Sequence, residues 1–445
     1  MNKKISTPIV DFVSNYANSK TSRLHMPAHK GNSLLGCEAL DITEICGADV
    51  LYSANGIIEE SENNATSLFK TQHTFYSTEG STLAIKAMLG ILKKHTLGKT
   101  KVLAARNVHK AFVYACALLD IDVEWIFPDK NEHLCDCSIT PERLRKTLQS
   151  IDEIPCALYV TSPTYLGKML DIKGISEVCK EFGIYLLVDN AHGAYLAFKT
   201  PSLHPIALGA DICCDSAHKT LPTLTGGAYL HISSSFKPYD KEEIRSILSV
   251  FASTSPSYLI LQSLDMTNLY LSNDFQYRLC NTEKEVTKLK EELKDIGFES
   301  EESEPLKLVI DNCGYSGDFL AEHLRTHGVE AEYADCDTLT LMFSTENSAL
   351  DFERIKTAFS LLSPKKRPTV KRMTLSKPKR IISMREAIFA PSERISVKNS
   401  LGRVCASPTV SCPPAIPPII SGEQIDQNAI DILLYYGIEE IDVVK

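Results

Sequence analysis

Residues 157–193 read ALYVTSPTYLGKMLDIKGISEVCKEFGIYLLVDNAHG. The run 157–161 has the pattern of a short buried strand, apolar residues recur at helical spacing over 172–182, and a second run, 185–188, ends on Asp189. A strand, a helix and a strand in that order form a crossover, and a crossover implies parallel pairing. The same alternation extends outward. Residues 81–95 (STLAIKAMLGILKKH) predict a helix that Gly98 can stop, 101–105 (KVLAA) a strand, 111–119 a helix and 123–127 a strand. Residues 211–214 and 228–232 predict further strands. The fold class is therefore α/β, a mostly parallel sheet covered by helices. In such sheets ligands bind beyond the carboxyl ends of the strands. The residues just after each strand are thus the first place to look for chemistry.

Beyond residue 275 the pattern changes. Residues 282–293 predict a charged amphipathic helix, and 306–311, 317–326 and 338–343 predict strand, helix, strand, enough for a smaller α+β domain. The expected organisation is an N-terminal segment 1–60, a large domain 61–275, a small α+β domain 276–362, and a basic linker with a C-terminal segment, 363–445. Residues 363–380 (SPKKRPTVKRMTLSKPKR) hold eight basic residues and no acidic one. They read as a solvated linker, because no aromatic residues interleave to stack on bases. The Pro-rich run 412–418 (CPPAIPP) reads as an ordered loop.

Composition sets bounds on function. The chain has 445 residues, 44% hydrophobic and 23% charged, which excludes a disordered or fibrous protein. Its net charge of −9 argues against nucleic acid as a partner and is compatible with a cationic small molecule. The 14 cysteines include no CxxC pair, so they read as reduced structural thiols of a cytosolic protein. The N-terminus MNKKISTPIVDFV lacks the apolar core of a signal peptide, and no apolar run reaches the roughly 18 residues of a membrane helix. A soluble, cytoplasmic protein with no membrane partner is expected, and no metal site.

Three short stretches carry chemistry. Asp215-Ser216-Ala217-His218-Lys219-Thr220 directly follows a strand, which puts a lysine among apolar strands. In a dry pocket a lysine has a lowered pKa and can form a Schiff base with an aldehyde. Asp189-Asn190-Ala191-His192-Gly193 follows another strand. Asp189 can cap a helix, or its carboxylate can hold the protonated pyridine nitrogen of pyridoxal 5'-phosphate. Thr78-Glu79-Gly80-Ser81-Thr82 opens a helix, where backbone N–H groups and hydroxyls suit a phosphate. With Asp189 and Lys219 following in order, phosphate binding is preferred over a plain cap.

This order resembles the fold-type-I pyridoxal-phosphate enzymes, and more narrowly the Orn/Lys/Arg decarboxylase family in its short members without an N-terminal wing domain. The matching stretches run along nearly the whole chain: Met26 to Gly31 (MPAHKG), Arg106 to Lys110 (RNVHK), Ser162 to Gly167 (SPTYLG), Asp189 to Gly193, Ser216 to Lys219, Thr254 to Tyr258 (TSPSY), Gly402-Arg403, and Cys412 to Glu423 (CPPAIPPIISGE). The resemblance implies that Lys219 carries the Schiff base, that Asp189 pairs with the pyridine nitrogen and that His109 stacks on the ring. Gly80, Ser81 and Thr82 would hold the phosphate, with contacts from Ser216 and His218. Ala191 and His192 would line the cofactor, and Thr254 and Ser255 would reach a neighbouring subunit's site in a homodimer or higher homo-oligomer. Thr164 and Tyr165 would line the pocket or form only a turn.

The implied reaction is decarboxylation of arginine, lysine or ornithine to an amine, within polyamine-type metabolism. Lys219 or His218 would protonate Cα; Glu423 and acids of the 49–60 region are candidates to receive the basic side chain, with surface solvation the preferred reading for any one of them. Other fold-type-I activity, as an aminotransferase or lyase, and a non-catalytic cofactor-binding protein are the alternatives; Arg403 could be mistaken for an aminotransferase's carboxylate clamp. The chain departs from the family's pattern at Ala28 and Ala415, where the family has glycine, and at Tyr195, where it commonly has histidine. A positive φ at either alanine would be strained.

Overall fold

A computed structural model of the chain describes residues 5–96, 98, 100–130, 132–311, 313–365, 372–408 and 416–445. The chain forms two compact units, Met1–His95 with Tyr185–Tyr277, and Thr96–Ile184 with Arg278–Lys445. The strands of the α/β part are, in chain order, β1 (His73–Ser77), β2 (Lys101–Ala105), β3 (Asp122–Ile126), β4 (Ala157–Thr161), β5 (Tyr185–Asp189), β6 (Ile212–Asp215) and β7 (Ala228–Ile232).

In the first unit the strand order is β1-β7-β6-β5. β5 and β6 are parallel, with Leu187 opposite Ile212 and Asp189 opposite Cys214. β7 runs antiparallel to both of its neighbours. β1 was not expected. Its five residues are all buried, but they include polar groups that break the apolar pattern. Those groups are paired: Thr74 Oγ1 lies 2.9 Å from His231 Nδ1, and Ser77 Oγ donates to the Gly80 carbonyl at 3.0 Å. The helix Gly80–Lys94 packs on this sheet through Leu83, Ile85, Met88, Leu89 and Leu92, all buried.

Three further helices, Pro8–Ala17, Ile57–Phe69 and Tyr258–Ser272, pack on one another in this unit. Thr7 makes no side-chain cap for the first. Asp265 replaces it from another helix, accepting from Ile9 N and Val10 N at 2.9 and 3.0 Å and from Ser61 Oγ at 2.6 Å. A buried ion cluster lies nearby: Glu62 accepts from Arg245 at 2.5 Å and from Tyr76 N at 2.9 Å, and faces His73 Nε2 at 3.3 Å.

In the second unit the order is β4-β2-β3, all parallel. Its connecting helix Ile172–Phe182 starts where Asp171 accepts from Gly174 N at 3.0 Å and stops at Gly183 in the left-handed region. Next comes an antiparallel sheet ordered β8-β10-β9, with β8 Lys307–Asp311, β9 Tyr333–Ala334 and β10 Thr338–Met342. The helices Phe275–Asp295, Gly317–Thr326 and Ala349–Ser360 accompany it. Leu293, Phe298, Ile310, Leu341, Phe352 and Phe359 are among the residues of one apolar core. This matches the expected α+β character.

The C-terminal residues form an antiparallel ribbon, β11 (Ser392–Ser396) with β12 (Glu440–Val444), closed by the helix Gln427–Tyr435 over Val397, Ile425, Leu433 and Ile441. In the basic linker Lys365, Lys377, Lys379 and Arg380 are exposed, and some of its charges meet partners. Arg372 pairs with Asp311, Arg380 pairs with Asp122, and Lys365 stands 3.8 Å from the centre of the Tyr315 ring. Residues 366–371 and 409–415 lie outside the described residues, and so does most of the 412–418 loop. Among the described residues no helix is long and apolar enough to cross a membrane.

Asp265 supplies a pH test of the first unit. Burial pushes its carboxyl up to about 6, above the 3.8 of an exposed aspartate. The folded state therefore holds this proton more tightly than the unfolded chain, and stability rises as pH falls through 6 toward 4. Asp265→Asn keeps an acceptor for the helix N–H groups and removes the titration. Urea melts should show wild type gaining about 1.4 kcal/mol relative to this variant between pH 7 and pH 5. A constant difference would show that Asp265 does not titrate there.

Candidate active site

The parallel register of β5 and β6 brings two strand ends level. Asp189, the last residue of β5, is buried. Its Oδ1 accepts from Ala191 N at 3.2 Å, and Asn190 N donates to the Cys214 carbonyl at 2.9 Å, so the 189–193 turn stays attached to β6. Gly193 is required here: an added Cβ would lie 2.0 Å from Asn190 Oδ1. His192 is buried, and its Nε2 lies 3.0 Å from Lys219 Nζ. Lys219 is on the one-turn helix Ala217–Thr220 that follows β6. In that turn His218 is fixed by the Gly227 carbonyl, 3.0 Å from its Nδ1 and 3.2 Å from its backbone N.

The same unit holds the phosphate candidates. The helix Gly80–Lys94 has no side-chain cap and no acid in its first turn, so its leading N–H groups suit an anion. Gly80 has φ +69°, and a Cβ there would meet nothing within 4 Å, which leaves open space before the helix. Ser216 Oγ donates to Ser81 Oγ at 2.8 Å, joining the turn after β6 to this helix start. Thr82 is exposed, as are Thr254 and Ser255. Ser253 N donates to Glu79 Oε1 at 2.6 Å, which holds the 253–255 loop against the residue leading into the helix. These donors fit pyridoxal phosphate: hydroxyls and an uncapped helix start for the dianion, a lysine amine for the aldehyde, and a buried carboxylate for the ring nitrogen.

His109 belongs to the second unit. It is exposed there and caps the helix Lys110–Leu119, its Nδ1 accepting from Ala111 N at 3.2 Å. The residue that fixes this strand end is Arg106, fully buried over the Trp125 ring. Its guanidinium donates to Glu423 at 3.0 Å and to the Pro417 carbonyl at 3.1 Å. Pairing with Arg106 ties the RNVHK stretch to the C-terminal PPIISGE stretch. The pairing was not foreseen, because no local spacing links positions so distant in the chain. Burial raises the Glu423 carboxyl, and the Arg106 charge opposes that rise.

The geometry gives several of the singled-out residues partners within the fold. Glu423, a candidate acceptor for the substrate side chain, accepts from Arg106 and from Ile420 N in the interior. Asp49 accepts from four backbone N–H groups between Val50 and Ile58, Glu59 pairs with Lys241, and Glu60 accepts from Ser6. Arg403 is bound to Glu393 and the Val444 carbonyl, both at 2.8 Å. Thr164 hydrogen-bonds Asp136 at 2.7 Å within a turn closed by Lys168. Ala28 carries no strain, because the positive φ in that loop falls on Lys30 and Gly31 instead; Ala415 lies outside the described residues. Cys214 Sγ lies 3.7 Å from Asp189 Oδ1.

Comparison with known proteins agrees with the motif order. A model of the Orn/Lys/Arg decarboxylase major domain matches residues 7–309. Over 96% of this chain and 93% of the relative, it is 27% identical to an arginine decarboxylase of Bacillus subtilis. The corresponding identity to an arginine decarboxylase of Halalkalibacterium halodurans is 28%, with the same coverage. Among solved structures, the lysine decarboxylase of Francisella novicida superposes with a TM-score of 0.81 at 17% identity, covering 99% of this chain and 81% of that one. The Escherichia coli constitutive lysine decarboxylase gives 0.77 at 16%, covering 99% and 82%. At such identities the structural likeness speaks for fold alone, and the fold is that of the type I pyridoxal-phosphate enzymes.

Removing one partner of the Arg106–Glu423 pair leaves a charge stranded in the interior. Glu423→Gln and Arg106→Met should each cost about 3–5 kcal/mol. Because the partners share one interaction, the double variant should lose clearly less than the sum of the two, as read by chemical denaturation.

Proposed function

Because the chain belongs to the Orn/Lys/Arg decarboxylase family, it is a pyridoxal-phosphate-dependent amino-acid decarboxylase, and we propose that it converts a basic amino acid, arginine first, to the corresponding amine and CO₂. The observation that carries the site reading is the 3.0 Å approach of Lys219 Nζ to His192 Nε2, on the turn that follows Asp189. Arginine ranks ahead of lysine and ornithine because arginine decarboxylases are the named relatives that match nearly end to end. The lysine decarboxylase of Escherichia coli aligns over 62% of this chain. The amine product would feed polyamine-type metabolism in the cytoplasm.

Bound pyridoxal phosphate supplies an electron sink for the pair left at Cα when CO₂ departs. The chain's residues divide the remaining work. The phosphate falls to Gly80, Ser81, Thr82 and Ser216. Asp189, dry and oriented by Ala191 N, keeps the ring nitrogen protonated by holding a negative charge beside it. Ala191 would line the cofactor ring. Lys219 would hold the aldehyde and carry a proton to Cα on its Nζ, and His192, 3.0 Å away, would orient that amine. His218, fixed by Gly227, positions the turn. A dry pocket around the substrate carboxylate favours loss of neutral CO₂.

A second copy of the chain would complete the site. Leu24, Met26, Leu34 and Leu35 are 93%, 71%, 85% and 89% exposed in the N-terminal segment, beyond what single surface residues explain. A homodimer or higher homo-oligomer would cover them, with Thr254 and Ser255 reaching the partner's site. The division into a cofactor domain 61–275, a small domain 276–362 and a C-terminal segment is part of the same reading.

The test is direct. Purified protein with added cofactor should show a visible absorption band and release CO₂ from arginine with agmatine as product. Lys219→Ala should lose the band and all turnover, and Asp189→Ala should lower kcat at least about 100-fold, because the electron sink loses its counter-charge. A keto acid product would replace decarboxylation by transamination, and preferred formation of cadaverine or putrescine would move the substrate to lysine or ornithine.

A further inference from the structure

The last residue of β6, Asp215, is completely buried, although it neighbours Ser216 and stands one strand from Asp189. Its Oδ2 faces two imidazoles, His204 Nε2 at 3.0 Å and His231 Nε2 at 3.1 Å. Its Oδ1 accepts from Asn190 Nδ2 at 2.7 Å. His204 and His231 are themselves at most 1% exposed, and their rings stand edge to face. Tyr229, Cys213 and Cys214 are the other titratable neighbours, each buried and each held in its neutral form by that burial.

Two histidines and a carboxylate, with ligand atoms all within 4.8 Å, are also spaced as a metal could be held. The outer ring nitrogens favour hydrogen bonding instead. His204 Nδ1 accepts the Ile206 N–H at 3.4 Å, which leaves its proton on Nε2, pointing at Asp215. His231 Nδ1 meets the Thr74 hydroxyl at 2.9 Å, which can donate to it in the same way. Asp215 then receives two imidazole N–H groups and one amide N–H. Burial alone would raise its carboxyl, but the two histidines hold it well below the usual carboxylate range, so it stays anionic in the dry interior.

The links from this anion run to both cofactor turns. Asn190 connects Asp189 to Ala191 and His192. On the other side the chain passes from Asp215 to Ser216 and Lys219. We propose that Asp215 is a positioning residue: its carboxylate, braced by His204 and His231, fixes Asn190 and so holds the Asp189–His192 turn against the Ser216–Lys219 turn. A fixed negative charge one strand from Asp189 also favours a protonated cofactor ring. The inference rests on the reading that these two turns hold pyridoxal phosphate.

The experiment compares Asp215→Asn with Glu62→Gln, a buried carboxylate in the same unit that touches neither turn. Each apo-protein is melted thermally and titrated with pyridoxal phosphate, and the pH midpoint of the visible band is recorded. Asp215→Asn should weaken cofactor binding about tenfold and lower the band's midpoint by about half a unit or more. Glu62→Gln should lower the melting temperature and leave both cofactor readouts unchanged. If Asp215→Asn melts earlier yet binds the cofactor with wild-type affinity and midpoint, Asp215 is structural only and the proposal is overturned. Should Asp215→Asn not fold, Asn190→Ser carries the test, because it cuts the link and spares the histidine pair; a wild-type affinity there overturns the proposal equally. Wild-type protein that takes up no cofactor would overturn the underlying reading and this inference with it.

Discussion

The parallel pairing of β5 with β6 is the constraint on which the candidate site depends. With Asp189 opposite Cys214, both strands end at the same level and point the same way. One end leads into the turn carrying Asp189 and His192, and the other into the turn carrying Ser216 and Lys219. An antiparallel pair would send these turns to opposite edges of the sheet. Because they emerge together, a lysine and a histidine 27 positions apart in the chain come within 3.0 Å.

The interior around these turns is more polar than a hydrophobic core requires. In the first unit Glu62 with Arg245 and Asp215 with two histidines are buried charges, and the second unit has its own pair in Arg106 with Glu423. Desolvation makes such groups poor contributors to stability compared with apolar residues of similar volume. What they supply is direction: a charged hydrogen bond holds its partners at a fixed distance and angle, where a leucine would allow them to slide. They also lie where direction matters. Arg106 fixes the strand end before His109, and Asp215 fixes the end before Ser216.

Much of the fold was legible in the sequence, because its helices and strands are short, regular and punctuated. The strands 101–105, 157–161 and 228–232 and the helices 172–182 and 317–326 have the bounds that the apolar pattern predicted. Elements went unread where the pattern is mixed. β1 is buried but has polar residues among its five, and the helix Pro8–Ala17 takes its N-terminal cap from the distant Asp265. Carboxylates near the site were legible as residues but not as pairs, since nothing local in Glu423 signals that Arg106 is its partner.

By itself the sequence determined the class of fold, the family, and the order of the chemical groups: a phosphate-type helix start, then an aspartate, then a lysine, each just beyond a strand. Those properties are local, carried by residues within a few positions of one another. Only the tertiary structure decided which groups meet. It paired Glu423 with Arg106 and Arg403 with Glu393, put the positive φ on Lys30 and Gly31 and not on Ala28, set Cys214 against Asp189, and gathered His204, Asp215 and His231 into one buried cluster. The reason is that contact between distant positions is fixed by strand register and burial, and a carboxylate's role follows from the donor it meets inside the fold.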